Sequence, residues 1–298
     1  MIYEFLIFVA ISLIFSISLK FIISNLPFFF PEQNLQTKYG NGYAVITGGT
    51  DGIGLKITKK LISQGLNVYV IGLKTDMITQ NDLPEGSYLL ENDLSDLQFV
   101  QNVCTWISQN HPTLLVHCAG LCIPQPFTNV EHPSKYIDSY ISSLVEMTSA
   151  FIKARNRDGG IVFFSSQVAF FSSPFATLYA ATKSFTGQFA DSLSAEYPNL
   201  DILCLFPGAI VNTSFFKYFP KHWYFNLIKF IGQTPDTLVS LMFRALGRVR
   251  LVDSGLLSYG TRLASSFIDQ NIINFAGQIT VSSLRPQMER LSNHNLPL

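Results

Sequence analysis

The chain has 298 residues, with 20 basic and 20 acidic side chains and no net charge at pH 7. Only 13% of its residues are charged and its mean hydropathy is +0.27, which is apolar for a soluble protein. The length allows one large α/β domain or two small ones, each with a buried core. A neutral chain without a basic run has no bulk attraction for nucleic acid, and we expect no such partner.

The apolar excess is concentrated in the first 30 residues. Residues 5–19 carry no charge, and the apolar stretch continues past Lys20 to Ile23. This is close to the about 20 residues that a helix needs to cross a bilayer. A helix on the membrane surface and a cleaved signal peptide are alternatives, but a basic n-region and a small-residue cleavage site are missing. We therefore predict a membrane anchor over residues 1–30.

Strand-like and helix-like segments alternate through residues 40–260 without a dividing linker. The patterns predict strands over residues 43–47, 67–71, 88–90, 114–117, 161–165 and 201–206. They predict helices over residues 53–64, 95–109, 136–154 and 177–197. Such alternation favours an α/β fold, a single Rossmann-like doubly wound parallel sheet with helices on both faces.

A glycine-rich loop joins the first predicted strand to the first predicted helix. A strand, a glycine turn and a helix N-terminus together present backbone N–H groups to a pyrophosphate. The G-x-x-x-G-x-G spacing differs from the commoner G-x-G-x-x-G, and an ordinary strand-turn-helix would also explain it. As a cofactor loop, its candidate residues are Thr47, Gly48, Thr50, Asp51, Gly52, Ile53 and Gly54.

Tyr179 and Lys183 lie four residues apart in a predicted helix and therefore share one face. A phenol titrates near about 10, and an ammonium one helical turn away favours the phenolate. Alone, this pair also fits an exposed helix face. However, the helix lies between a predicted strand followed by Ser166 and another followed by Pro207 and Gly208. This placement favours a catalytic site.

With these motifs in this order, the chain resembles the short-chain dehydrogenase/reductase family over roughly residues 42–215. The resemblance implies a single-domain Rossmann-like fold, NAD(P)(H) as cofactor and interconversion of alcohols and carbonyls. It implies that Tyr179 donates a proton to a carbonyl oxygen and that Ser166 hydrogen-bonds the same oxygen. Lys183 would lower the pKa of Tyr179 and bind the nicotinamide ribose.

The resemblance also implies further cofactor contacts, from Asp93 to adenine and from a segment after the sixth strand to the nicotinamide carboxamide. The implied set is Asp93, Ala119, Gly120, Tyr179, Lys183, Pro207, Gly208 and Thr213. Two positions depart from the family pattern. His117 and Cys118 stand where the family has two asparagines, and Tyr140 stands at the asparagine of a proton relay. The His and Cys spacing is poor for zinc, and we expect no metal.

Cofactor choice depends on the end of the second predicted strand. Gly72 and Leu73 are followed there by Lys74, with Asp76 two residues further on. A basic side chain at this place suits the 2′-phosphate, so the sequence favours NADP(H) over NAD. The alternative is that Lys74 is solvated and Asp76 binds the ribose.

A substrate lid is expected at about residues 212–233. Residues 215–230 hold eight aromatic residues together with Lys217, Lys221 and Lys229. Aromatic residues mixed with lysines suit a membrane interface, which predicts that the lid meets the bilayer and admits a lipid carbonyl. A lid packed on its own domain is the alternative.

Within the family, the anchor, the TDGIG loop and residues 234–236 resemble the 17β-hydroxysteroid dehydrogenase/3-oxoacyl-CoA reductase branch of the endoplasmic reticulum membrane. Residues 118–120 and 161–167 are equally similar to 3-ketodihydrosphingosine reductase. Both imply NADPH-dependent reduction of a lipid or steroid ketone by a domain facing the cytosol. Residues 261–298 are expected to pack on the sheet edge, to contact the membrane or to pair with a second subunit of a homodimer. A non-catalytic cofactor-binding scaffold is the alternative of another class.

Overall fold

A parallel sheet forms the centre of the protein in the computed structural model, which describes residues 2–73, 79–155 and 159–292. Within these residues the sheet has seven strands in the order β3-β2-β1-β4-β5-β6-β7, and every neighbouring pair is parallel. The strands are β1 (Tyr43–Thr47), β2 (Asn67–Gly72), β3 (Ser87–Glu91), β4 (Leu114–His117), β5 (Gly160–Phe164), β6 (Asp201–Pro207) and β7 (Leu251–Ser254). The chain order reverses between β1 and β4, where ligands bind in open sheets of this kind.

Helices cover both faces of the sheet. The helices of the described residues are α1 (Ile2–Asn25), α2 (Leu35–Tyr39), α3 (Gly52–Ser63), α4 (Leu97–Asn110), α5 (Pro133–Ile137), α6 (Ser143–Arg155), α7 (Thr177–Glu196), α8 (Trp223–Phe230), α9 (Pro235–Ala245), α10 (Leu256–Phe267) and α11 (Gln270–Ser292). Helices α3 and α9 bury their apolar residues against one face of the sheet. Helices α4, α6 and α7 bury theirs against the other face. The fold is therefore the Rossmann-like arrangement that the sequence predicts.

Alternation along β1 shows why its central residues are apolar. Ala44 and Ile46 belong to the core under α3 and α9, whereas Val45 belongs to the core under α4 and α6. Both sides of the strand are buried at these three positions, which therefore favour apolar side chains. Burying each Val, Leu or Ile side chain contributes about 1.5–3 kcal/mol, and the two cores together hold the sheet.

The predicted boundaries are close to the observed ones in the central sheet, with two exceptions. One helix is predicted over residues 136–154, but α5 and α6 are separated by a π-helical turn at Asp138–Ser142. The seventh strand was not predicted, because β7 contains only two apolar residues. Its buried Asp253 is held by an ion pair with Arg262, with Nε and Oδ2 2.5 Å apart.

Helix α1 is long and apolar enough to cross a membrane, and none of its apolar window is buried. Near its C-terminal end the ring of Phe21 packs edge-on against Tyr259 of α10, with ring centroids 5.2 Å apart. Helix α1 thus leaves the domain next to α10, and α10 leads directly into α11.

Phe151→Ala tests the core under α6, where the Phe151 side chain is fully buried. We expect the free energy of unfolding to fall by about 3–5 kcal/mol, because the change removes buried apolar area and leaves a cavity. Phe127→Ala, at an exposed phenylalanine, should change it by no more than about 0.5 kcal/mol. Urea unfolding of the full chain in detergent measures both. Similar losses for the two variants would contradict this assignment of the core.

Candidate active site

The glycine loop between β1 and α3 is closely packed against the segment that follows β4. Gly48 has a φ of 70°, and a Cβ at this position would lie 2.8 Å from the Cα of Ala119. A Cβ at Gly54 would overlap the carbonyl oxygen of Gly48. The Asp51 carboxylate accepts a hydrogen bond from the Gly52 N–H at 2.6 Å and caps α3. Positions 48 and 54 therefore require glycine, because a side chain at either would overlap neighbouring backbone.

A cavity of about 670 Å³ lies at the carboxyl ends of β1, β4, β5 and β6, and the glycine loop forms one end of it. The N-terminus of α3 faces this cavity, and a helix N-terminus attracts anions. Without a Cβ, Gly48 and Gly54 let the loop fold tightly against its neighbouring backbone at this helix N-terminus, so the residues present fit the pyrophosphate of a dinucleotide. Other predicted cofactor contacts that line the cavity are Thr50, Asp51, Gly52, Ile53, Asp93, Ala119, Gly120, Pro207, Gly208 and Thr213.

Two predicted cofactor residues, Thr47 and Lys74, are not among the described residues that line this cavity. Thr47 is buried beneath the loop, where its hydroxyl accepts a hydrogen bond from the Ala119 N–H at 3.2 Å. It supports the loop rather than lining the large cavity. Lys74, together with Asp76, lies outside the described residues. Asp93 accepts hydrogen bonds from the Ser95 N–H at 2.8 Å and from the Ser139 hydroxyl at 3.2 Å.

Ser166, Tyr179 and Lys183 all line the same cavity. Ser166 follows β5, and the other two lie in the first half of α7. The Lys183 Nζ donates a hydrogen bond to the Phe164 carbonyl at 2.7 Å and lies 5.6 Å from the centroid of the Tyr179 ring. The structure thus brings together the three residues that were predicted to be catalytic.

Burial controls the protonation of this cluster. It raises the pKa of the Tyr179 phenol above its ordinary value, with a smaller rise from nearby Cys122, while a hydrogen bond with Ser166 opposes the shift. Burial also lowers the pKa of the Lys183 ammonium to about 8. The net shift of the Tyr179 pKa in this site is upward because desolvation dominates it, and a lowering of that pKa by Lys183 stays a prediction. At neutral pH the phenol keeps its proton and the ammonium is mostly charged.

Tyr140, at the position of the family's relay asparagine, lies in the π-helical turn and also lines the cavity. Its hydroxyl accepts a hydrogen bond from the Leu121 N–H at 3.0 Å. The Tyr136 hydroxyl donates to the carbonyl of the same Leu121 at 2.7 Å. Burial raises the pKa of Tyr140 to about 12, so it acts as a neutral phenol. The two tyrosines fix the backbone of the segment after β4.

His117 has a structural environment. Its Nε2 lies 3.0 Å from the Thr148 hydroxyl, and its ring stacks on Phe163. Burial lowers the pKa of His117 to about 3, with a further contribution from the Lys183 charge, and keeps the ring neutral. Burial raises the pKa of Cys118 and of Cys122 to about 12. Among the described residues, no group of three or more His, Cys, Asp and Glu side chains is arranged for a metal.

Apolar side chains form much of the remaining wall of the cavity, and sequence reasoning identified only part of them. The lid contributes Phe215, whose ring centroid lies 5.7 Å from that of Tyr179. Helix α11 supplies a stripe that was not assigned to the site: Ile273, Gly277, Val281, Leu284 and Met288. Spacings of three and four residues put this stripe on one helix face, and this periodicity was the available signal. Leu284 and Met288 pack with Phe225 of α8.

Comparison with known proteins identifies the family. Residues 42–222, more than half of the chain, match the family model described as short chain dehydrogenase. The chain therefore belongs to the short-chain dehydrogenase family of oxidoreductases, which use NAD(P). This agrees with the glycine loop and with the cluster of Ser166, Tyr179 and Lys183.

The matches to individual curated relatives span only part of each relative's length, about 54–61% for the two described here. The chain is 28% identical over 190 residues to human 17-beta-hydroxysteroid dehydrogenase type 3, covering 59% of this chain and 61% of that protein. It is 28% identical over 170 residues to the very-long-chain 3-oxoacyl-CoA reductase of Macaca fascicularis, covering 52% and 54%. A solved 7beta-hydroxysteroid dehydrogenase structure has the same fold, with a TM-score of 0.71, 19% identity and coverage of 82% and 100%.

Gly54→Ala tests the cofactor loop. We expect at least about tenfold weaker NADPH binding, because the new Cβ would displace the Gly48 carbonyl and widen the loop. Gly260→Ala in α10 is the matched control, since a Cβ there meets no atom within 4 Å. Titration of the protein with NADPH, followed by nucleotide fluorescence, gives both dissociation constants. Unchanged affinity in Gly54→Ala would contradict the role given to the loop.

Proposed function

We propose that this protein reduces a lipid ketone of the 3-oxoacyl or steroid type to an alcohol, with NADPH as the reductant. The observation that carries the proposal is the composition of one cavity. Ser166, Tyr179 and Lys183 lie between a dinucleotide-type glycine loop and a wall of apolar side chains from the lid and α11. Ordinary substrate pockets are apolar with a few converging polar groups, and this one suits a ketone on an apolar body.

In this proposal Tyr179 is the proton donor. The bound nicotinamide supplies the hydride. The Tyr179 hydroxyl, kept protonated by burial, transfers its proton to the carbonyl oxygen. The Ser166 hydroxyl hydrogen-bonds that oxygen and positions it, and the Lys183 charge stabilises the phenolate that remains. Apolar lid residues beside Tyr179, such as Phe215, exclude water from the reacting atoms.

Cofactor preference and location are parts of the same proposal. Lys74, just after Gly72 and Leu73 at the end of β2, would bind the 2′-phosphate of NADPH. Helix α1 would anchor the chain in the endoplasmic reticulum membrane, with the catalytic domain facing the cytosol. An apolar substrate then needs no passage through water. The names of the relatives, a 3-oxoacyl-CoA reductase and a steroid dehydrogenase, support this substrate class.

Tyr179→Phe tests the proposed proton donor. We expect kcat to fall about 100-fold or more on long-chain 3-oxoacyl-CoAs or steroid ketones, because no acid remains at the carbonyl oxygen. NADPH affinity should stay within about threefold, since the ring remains. NADPH oxidation against a panel that also contains 3-ketodihydrosphingosine measures turnover and narrows the substrate.

Tyr88→Phe, at a half-exposed tyrosine on β3, serves as the control and should retain full turnover. Retained turnover in Tyr179→Phe would contradict the proposed chemistry. A wild-type protein that binds NADPH but reduces no member of the panel would favour a cofactor-binding scaffold.

The pH profile tests the role of Lys183. Its pKa is lowered to about 8, so the ammonium is present below that pH and is lost above it. We expect kcat/KM for ketone reduction to be flat below about pH 7.5 and to fall about tenfold per unit well above pH 8. In Lys183→Arg the guanidinium stays charged at alkaline pH. In any preparation that retains activity, the fall in kcat/KM should therefore move to higher pH. An unchanged profile in Lys183→Arg would rule out this lysine as the titrating group.

A further inference from the structure

Helix α8 is apolar on two opposite faces. Its inner residues Phe225 and Ile228 line the cavity. On the opposite side, Trp223 and Phe230 are 68% and 85% exposed, and Leu227 is also exposed. In water this outer face would be costly, because apolar helix faces are normally covered.

Helix α11 repeats the pattern in its N-terminal half. The cavity-lining stripe begins at Ile273 and Gly277. Ile272 and Phe275, about half a turn away from that stripe, are 62% and 66% exposed. A helix with apolar residues on both sides is typical of surroundings that are apolar on both sides. For α8 and α11, the surroundings on the inner side are the cavity that these helices line.

Contacts and chain connectivity link helices α8 and α11 to the candidate membrane helix. Phe225 of α8 packs against Leu284 and Met288 of α11, so the two helices form one wall. Helix α10 leads into α11, and its Tyr259 packs against Phe21 of α1. The exposed Phe267 lies at the end of α10, between them. The wall of the cavity is thus linked through α10 to the C-terminal end of α1.

The lid segment carries basic but no acidic side chains, and the N-terminal half of α11 carries no charged side chain. Residues 202–235 include Lys217, Lys221 and Lys229 and contain no Asp or Glu, and residues 270–284 contain no charged residue. Lysines next to exposed aromatic residues match the anionic headgroup region of a bilayer. A second copy of the chain is a poorer occupant, because a two-fold contact through the lid would bring like charges together.

We propose that the outer faces of α8 and of the N-terminal half of α11 dock on an anionic lipid bilayer, so that the wall of the substrate cavity lies in the membrane interface. The proposal rests on the proposed lipid substrate and membrane anchor, and it goes beyond them by assigning this second contact to the lid and the C-terminal helix. An apolar ketone would then enter between α8 and α11 directly from lipid.

Photo-cross-linking tests this docking without requiring turnover. The full chain carrying Tyr179→Phe is reconstituted in vesicles of phosphatidylcholine with a minor fraction of phosphatidylserine. A benzophenone amino acid replaces Phe230, Phe275 or, as control, Leu97, an exposed apolar residue of α4. After irradiation, mass spectrometry counts lipid adducts at each position. We expect at least about ten times more lipid adduct at 230 and 275 than at 97, because only these two enter the interface.

Equal lipid labelling at all three positions, or none at 230 and 275, would overturn the proposal. Covalent dimers through 230 or 275 would also overturn it and would identify a second copy as the occupant. Because the probe reports lipid contact in a variant that lacks the proposed proton donor, a failure here is distinct from a failure to reduce ketones. An active wild-type enzyme with unlabelled outer faces would retain the proposed function and lose the docking surface.

Discussion

The hydrogen bond from the buried Lys183 ammonium to the Phe164 carbonyl is the contact on which the site depends. It ties α7 to the carboxyl end of β5, and it places a charge in a site where Lys183 is only 6% exposed. A buried ammonium is costly unless its donors are used. This carbonyl offsets part of the cost, and the lowered pKa of Lys183 reflects the remainder. The same contact holds Tyr179, one turn earlier on α7, near Ser166.

Protonation in this cluster follows from desolvation. In water the ammonium would favour the phenolate, whereas in the buried site the phenol keeps its proton and the ammonium becomes easier to deprotonate. That arrangement suits a group that must give a proton to a carbonyl. It also explains why the surrounding thiols and His117 stay neutral, because the same burial penalises each of their charged forms.

The sequence predicts six of the seven described strands well because most of their central positions are buried on both faces and apolar. It misses β7, whose Asp253 and Ser254 are satisfied by Arg262 and Gln233 inside the fold. The positions of Ser166, Tyr179 and Lys183 follow from spacing, but their pKa shifts depend on burial that spacing does not contain. The hydrogen bonds that join Tyr136 and Tyr140 to the Leu121 backbone could not be predicted from the sequence, because they depend on the π-helical turn. Lys74 lies outside the described residues, so its role stays a prediction.

The proposed function joins the family site to the apolar cavity through hydride transfer to a lipid ketone, with Tyr179 as the acid. The most direct measurement uses NADPH deuterated at both C4 positions and a long-chain 3-oxoacyl-CoA, with the product analysed by mass spectrometry. We predict one deuterium on the new carbinol carbon, formed by the wild-type chain and at least about 100-fold more slowly by Tyr179→Phe. Alcohol without deuterium at that carbon, or labelled product formed by Tyr179→Phe at the wild-type rate, would contradict the proposed chemistry.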